Sequence, residues 1–189
     1  MLMSLGTANI HRSSQSFSVV IRGPLGVGKT TIARALAQRL GAMYVSVDTV
    51  MAENGLDIVE GECIPVENFV KVNELVLPQV ADALNNGIPV VFDGNFYYER
   101  QVTHLLEAVP GTHYVFTLQA PLDVCIARDA QRARVYGEDA AGAVHYLVSR
   151  VDYGISIDTV GKTAEDVLQE IIAWLTSRRK KNDLDSKCD

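Results

Sequence analysis

Cysteine is scarce in this 189-residue chain: Cys63, Cys125 and Cys188 are odd in number, far apart and never arranged as CxxC. Neither a disulfide framework nor a zinc site follows from them, and a reducing compartment, the cytoplasm, is the expectation. The four histidines, His11, His104, His113 and His145, show no metal-ligand spacing. No apolar run approaches the roughly 20 residues of a membrane span, so no membrane association is expected. The first sixteen residues lack the continuous apolar core of a secretory signal. Cations are in the minority, 17 Lys and Arg against 23 Asp and Glu, for a formal charge of -6. A general nucleic-acid binder is usually a net basic domain, so none is expected here. With 48% of positions hydrophobic, a chain of this length builds a core without staples.

Strand and helix patterns take turns along what remains. Residues 1–16 are polar and mixed and read as a loose N-terminal tail. FSVVI (17–21) is a β-branched run that ends in a glycine-rich turn. A helix pattern follows, with Ile32, Ala33, Leu36, Ala37 and Leu40 on one face and Gly41 at the stop position. MYVSV (43–47), IPVVF (88–92), THYVFTL (112–118) and GISIDT (154–159) are further strand candidates. Between them, Pro65 opens a helix that Pro78 is expected to kink or split, and further helices are expected around 98–108 and after Pro121 and Thr163. Strands that are apolar throughout and alternate with helices predict a three-layer, doubly wound α/β domain over 17–176. Residues 177–189 read as a charged C-terminal tail, in which SRRKK (177–181) is a basic helix end complementing the helix dipole. Sites in such folds lie at the carboxyl ends of the strands.

The most specific signal is GPLGVGKTT, namely Gly23, Pro24, Leu25, Gly26, Val27, Gly28, Lys29, Thr30 and Thr31. Gly23, Gly28, Lys29 and Thr30 fit G-x-x-x-x-G-K-[ST] between a strand and a helix. Glycines let backbone N–H groups turn inward around phosphate oxygens, and the helix N-terminus adds positive potential. Lys29 then reaches the terminal phosphates and the Thr30 hydroxyl helps to hold magnesium. A chance match arises in about one chain in a hundred, and the strand–loop–helix context lowers those odds.

Two aspartates end strands beside that loop. Asp48 could accept the proton of an attacking hydroxyl, hold a water on magnesium, or simply cap the next helix. Asp93, in VVFDGN, has the placement of a Walker B magnesium ligand, although Asp-Gly is also a turn dipeptide. Asn95 and Arg100 follow closely and are candidates for the acceptor side.

Arg128 and Arg132 share a helical face, Arg134 follows, and Arg150 closes the next short helix pattern. Such cations can close over a transferring phosphoryl group as a lid, here residues 132–150, with Gly137 and Gly142 permitting movement. The bland reading is a solvated face paired with Asp129 or Glu138.

Taken together, GPLGVGKTTIARALAQRLG, VDTV, VVFDGNF, RDAQRAR and SRVDYGISIDT resemble the P-loop kinases related to nucleoside monophosphate kinases. Adenylate, shikimate and gluconate kinases are members, as are many small kinases grouped with AAA-type ATPases. The resemblance implies a five-stranded parallel sheet in the order 2-3-1-4-5, a mobile lid, and ATP with Mg2+ as cofactors. It implies a magnesium or acceptor contact for Asp48, the post-β3 Asp-Gly for Asp93-Gly94, and lid arginines at Arg128, Arg132 and Arg134. Arg150 and Tyr153 are similar to the Arg-x-x-Tyr of shikimate kinases. The chain departs from adenylate kinases, which continue Asp-Gly with Phe-Pro-Arg where this chain has Asn95-Phe96-Tyr97. It departs from shikimate kinases at Val50, where they carry a second Asp, and it lacks the gluconate-kinase acceptor motifs.

The expected function is transfer of the ATP γ-phosphate to a small-molecule hydroxyl. A nucleoside monophosphate kinase is the alternative. A nucleotide-dependent switch is a third possibility, but Asn-Lys-x-Asp, an Asp-x-x-Gly after the third strand and an Asp-Glu Walker B pair are all missing. Arginine is absent between Arg39 and Arg100, while Asp48, Glu53, Asp57, Glu60, Glu62, Glu67, Glu74 and Asp82 crowd the segment containing the acceptor-side helices (49–87). Anionic acceptors want arginine forks, so a neutral or cationic acceptor is expected. The opposing expectation has these acids facing solvent while Arg100 and Arg150 reach an anion.

Overall fold

The computed structural model describes residues 16–60, 63–132 and 135–185, with side chains as far as 179. The N-terminal tail expectation therefore falls, but for Ser16, outside the described residues. Five parallel strands, β1 (Phe17–Arg22), β2 (Met43–Ser46), β3 (Val90–Asp93), β4 (Thr112–Gln119) and β5 (Ile155–Asp158), form one sheet in the order β2-β3-β1-β4-β5. The order and the parallel sense are as the resemblance implied. Alternation along β1 feeds both faces. Val19 and Ile21 pack with α1 (Lys29–Leu40) and α7 (Ala164–Asp185), whereas Val20 joins the core beneath α3 (Val66–Asn85) and α4 (Glu99–Ala108). Helices on both sides complete the layers, together with α2 (Val47–Glu53), α5 (Leu122–Asp129) and α6 (Glu138–Ser149).

Register sets the site. Ile21 and Ser46 both pair with Asp93, so the carboxyl ends of β1, β2 and β3 lie in one row. The turns that leave this row carry the glycine loop, Asp48 and Asp93 to the same edge of the sheet.

Three local expectations need correction. The second strand ends at Ser46, because buried Val47 already begins α2. Ser46 is the cap of that helix, its Oγ accepting from the Thr49 N–H at 3.3 Å. Asp48 is therefore not a helix cap, and its carboxylate stays available. Pro78 does not split α3: buried Val76 and Val80 flank it on one core stripe, and their packing outweighs the single hydrogen bond proline cannot donate. At the other end of the chain, α7 continues through SRRKK to Asp185.

Candidate active site

The glycine loop is built on close backbone contacts. Gly26 has φ 78°, and a Cβ there would land on the Cys125 carbonyl oxygen of α5. At Gly23 a Cβ would sit 2.6 Å from the Leu118 carbonyl oxygen of β4. Only glycine lets the loop lie this close to its supports. Lys29, first residue of α1, is 4% exposed and donates to the Pro24 carbonyl at 2.8 Å. Burial lowers its pKa, while Asp48 and then Asp93 push it back up, so the lysine shares one electrostatic field with both aspartates.

Asp93 is buried, with Oδ2 accepting from the Tyr44 hydroxyl at 2.7 Å and Oδ1 left without a partner. Burial, and then the bond to Asp93, raise the tyrosine's pKa and keep it a donor. An unpaired buried carboxylate oxygen is costly unless a cation or donor meets it. Oxygen donors at this end of the sheet, Asp93 and the Thr30 hydroxyl on the first turn of α1, suit a hard cation such as Mg2+. Tyr44 escaped the sequence reading because a tyrosine within a strand reads as core.

Asp48 lies in the first turn of α2 and opens onto a cavity of about 540 Å3. Water reaches its side chain, yet the surrounding protein raises its pKa, Lys29 lowers it, Asp93 raises it and Arg132 lowers it. The cavity runs from Leu25 of the glycine loop, past Asp48 and Asn95, to Phe69 and Tyr97 and across to α6. None of its described lining residues is Lys or Arg. A smaller cavity of about 240 Å3 lies on the other side of the loop, between Gly28, Thr31, Arg128, Thr159 and Lys162. Another, of about 760 Å3, sits between α6 and the ends of β4 and β5, lined by Gln119, His145 and Asp158 among others. It touches the glycine loop only at Pro24.

The arginines separate into three groups. Arg132 is half-buried, pairs with buried Asp129 at 3.6 Å and acts electrostatically on both Lys29 and Asp48. Asp129 in turn accepts from the N–H groups of Tyr136 and Gly137, fixing the entry to α6. Arg128 donates to the Thr159 hydroxyl at 2.9 Å and its carbonyl at 3.1 Å, which places it by the smaller cavity. Two arginines expected at the acceptor side are elsewhere. Arg100 is exposed and pairs with Glu67 at 3.1 Å, since the first turn of α4 points it towards α3. Arg150, at the end of α6, donates to the Tyr146 hydroxyl and lies over its ring on the outer surface. Neither lines the 540 Å3 cavity. Arg134 lies outside the described residues.

One arginine not singled out in the sequence is fully buried. Arg22, last residue of β1, donates to the carbonyls of Phe96, Val151 and Val148 and to the Thr117 hydroxyl. It joins the loop after Asp93 to the end of α6. Nothing in an apolar strand ending in Arg signals this.

A 2-3-1-4-5 parallel sheet with a glycine loop and aspartates gathered at its carboxyl edge defines a P-loop protein of the kinase type. Residues 19–147, more than half of the chain, match a family described as AAA domain, and the chain belongs to that family of P-loop kinase domains. A Pyrococcus furiosus protein named "Putative adenylate kinase" is 32% identical over 173 residues, covering 86% of each chain. The shikimate kinase of Geobacter sulfurreducens is 27% identical, covering 90% of this chain and 97% of that one. Among solved structures, a sugar kinase from Janibacter superposes with a TM-score of 0.73 at 19% identity, over 85% of this chain and 95% of that one. That likeness is one of fold. Among the described residues, no helix is long and apolar enough to cross a membrane.

Proposed function

We propose that the chain is an ATP-dependent phosphotransferase that moves the γ-phosphate to a hydroxyl of a small molecule. The observation that carries this is the position of Asp48, between the Lys29 loop and a cavity sized for a small ligand. In this reading the backbone N–H groups of residues 25–30 cradle the phosphates and Lys29 neutralises charge on the terminal ones. Arg128 and Thr159 flank the base, which occupies the smaller cavity. Thr30 and Asp93 Oδ1 would hold Mg2+, which would supply positive charge against the phosphates.

Asp48 accepts the acceptor's hydroxyl proton as that oxygen forms its bond to the γ-phosphorus. The bond from phosphorus to the β–γ bridging oxygen breaks, and ADP leaves with that electron pair. Arg132 stands on the lid side of the same charge cluster and offsets the negative charge in transfer. The test is ADP release across nucleosides, nucleotides, sugars, amino alcohols and antibiotics, with product mass read in parallel. A phosphorylated alcohol is the expected product. ADP release with no acceptor product overturns the reading.

A nucleoside monophosphate kinase is the second reading, favoured by the 32% identity to the Pyrococcus protein. It needs cations on the acceptor side, and Arg100 and Arg150 are both directed away from it.

A further inference from the structure

The cavity next to Asp48 has properties that the reaction class does not require. One wall is aromatic: Phe69 is 2% exposed and meets Tyr97 edge to face at 5.1 Å. Burial raises the Tyr97 pKa, so this hydroxyl stays neutral and adds no anion to that wall. The opposite wall, on α6, carries Ala140 and Ala143, whose small side chains leave room for a flat body.

Large apolar side chains stand at the mouth of the cavity. Val59 in its lining is 60% exposed, as is its chain neighbour Ile58. Apolar groups held in water at a cavity mouth are unusual for a site that takes only a polyol. An apolar body seated beside Val59 removes that surface from water.

The charged groups of the described lining are of one kind: Asp48, Glu53 and Asp57, with no Lys or Arg. Lys29 and Arg132 act on Asp48, so the acidic character of this lining comes from Glu53 and Asp57. Asn95 adds an independent sign: its side-chain oxygen is buried with no donor. A buried acceptor oxygen of that sort calls for an N–H or O–H from the ligand.

Resting on the phosphotransferase reading, we infer that the acceptor is an amphiphilic alcohol. Its apolar, ring-sized body lies between the Phe69–Tyr97 wall and α6. Its polar end, uncharged or carrying a basic nitrogen, presents the reacting hydroxyl to Asp48 and a donor to Asn95. Anionic acceptors, monophosphates and carboxylates alike, are rejected by the acidic lining.

A matched set of compounds tests this with the full chain: 2-amino-1-phenylethanol (cation), 1-phenyl-1,2-ethanediol (neutral), mandelate (anion), 3-amino-1,2-propanediol (no ring) and AMP. Product formation is followed with ATP and Mg2+, and binding of each compound is measured separately by calorimetry without ATP. The cationic and neutral ring compounds are expected to exceed mandelate, AMP and the ringless amine by about tenfold or more in kcat/KM and in affinity. Glu53→Gln with Asp57→Asn is expected to reduce the advantage of the cation over the neutral ring compound, and Ala143→Phe to raise KM for both. If mandelate or AMP is the best acceptor, or if the ringless amine equals the ring compounds, the acceptor class is overturned and the kinase reading stands. If the ring compounds bind with the expected preference and none is phosphorylated, the ligand class stands and the phosphotransfer reading falls. Failure of the ring compounds to bind or react overturns the inference.

Discussion

The Arg22 guanidinium donates to the Val151 carbonyl at 2.7 Å, a contact between the end of the central strand and the residues just after α6. The same nitrogen, Nη1, also serves the Thr117 hydroxyl, while Nε and Nη2 serve the Phe96 and Val148 carbonyls. Burial lowers the Arg22 pKa to about 10 against the opposing pull of Asp152, and the four acceptors compensate for the lost water. Phe96 itself has a φ of 48°, unusual for a residue with a side chain, and its carbonyl is held by this arginine.

Arg22→Lys is therefore not a conservative change, because one ammonium cannot meet acceptors spread around a planar fork. Replacement by Lys is expected to cost about 2–4 kcal/mol of stability, measured by urea unfolding, by leaving buried carbonyls unsatisfied. An unchanged unfolding midpoint would show that water already serves these carbonyls.

Lys29→Ala removes the charge that, on the proposed function, reaches the transferring phosphate. Turnover is expected to fall by at least ~3 kcal/mol in the barrier, more than 100-fold. Steady-state ADP release gives the comparison, and a near wild-type rate would contradict the assignment of the loop.

Asp48 makes a prediction in pH. Desolvation by the surrounding protein is the largest influence on its pKa and raises it, with Lys29 acting in the opposite direction. A base works when deprotonated, so turnover falls as pH drops through that raised pKa, above the usual carboxylate range. Asp48→Asn is expected to lose this acid limb and to retain roughly 1% of the rate or less. The stability effect has a definite sign as well. A carboxyl whose folded pKa is raised disfavours folding above its unfolded pKa, and that cost disappears below it. The variant's Tm at neutral pH is therefore not expected to fall, which calorimetry checks; a lower Tm with an intact rate would make Asp48 structural.

The lid prediction concerns movement. Asp129 holds the N–H groups of Tyr136 and Gly137, and Arg132 leans on the same carboxylate. When ATP and acceptor bind together, Arg132 is expected to transfer to the phosphate, and amide exchange over residues 135–150 to slow. Exchange that is the same with and without ligands would leave Arg132 as an ion-pair partner of Asp129 alone.

The sheet and the glycine loop were legible because their signals are local: apolar runs of strand length, and a motif whose spacing has one physical purpose. Asp93 was legible by the same rule, as a residue that ends a strand, and the rule also singled out Asp48, although it lies in the first turn of α2. What escaped depends on contacts distant in sequence. Tyr44 meets Asp93 across 49 positions, and Arg22 meets Val151 across 129. The partners of Arg100 and Arg150, Glu67 and Tyr146, were not legible for the converse reason, since nearness to a motif in sequence does not fix which way a helix turns a side chain. Ser46 was missed as a cap because it also ends a strand.

The contact between Gly26 and the Cys125 carbonyl has a consequence for how such a protein can change. The phosphate loop is supported by β4 and α5, whereas the 540 Å3 cavity is walled by α2, α3, the loop after β3 and α6. Leu25 is the loop residue in the described cavity lining. On the proposed function, substitutions at Ala143, Tyr97 or Val59 remodel what is phosphorylated while the part that does the phosphorylating keeps its supports. Such a chain would be an engine with an interchangeable holder, its specificity free to drift, or be engineered, independently of its chemistry.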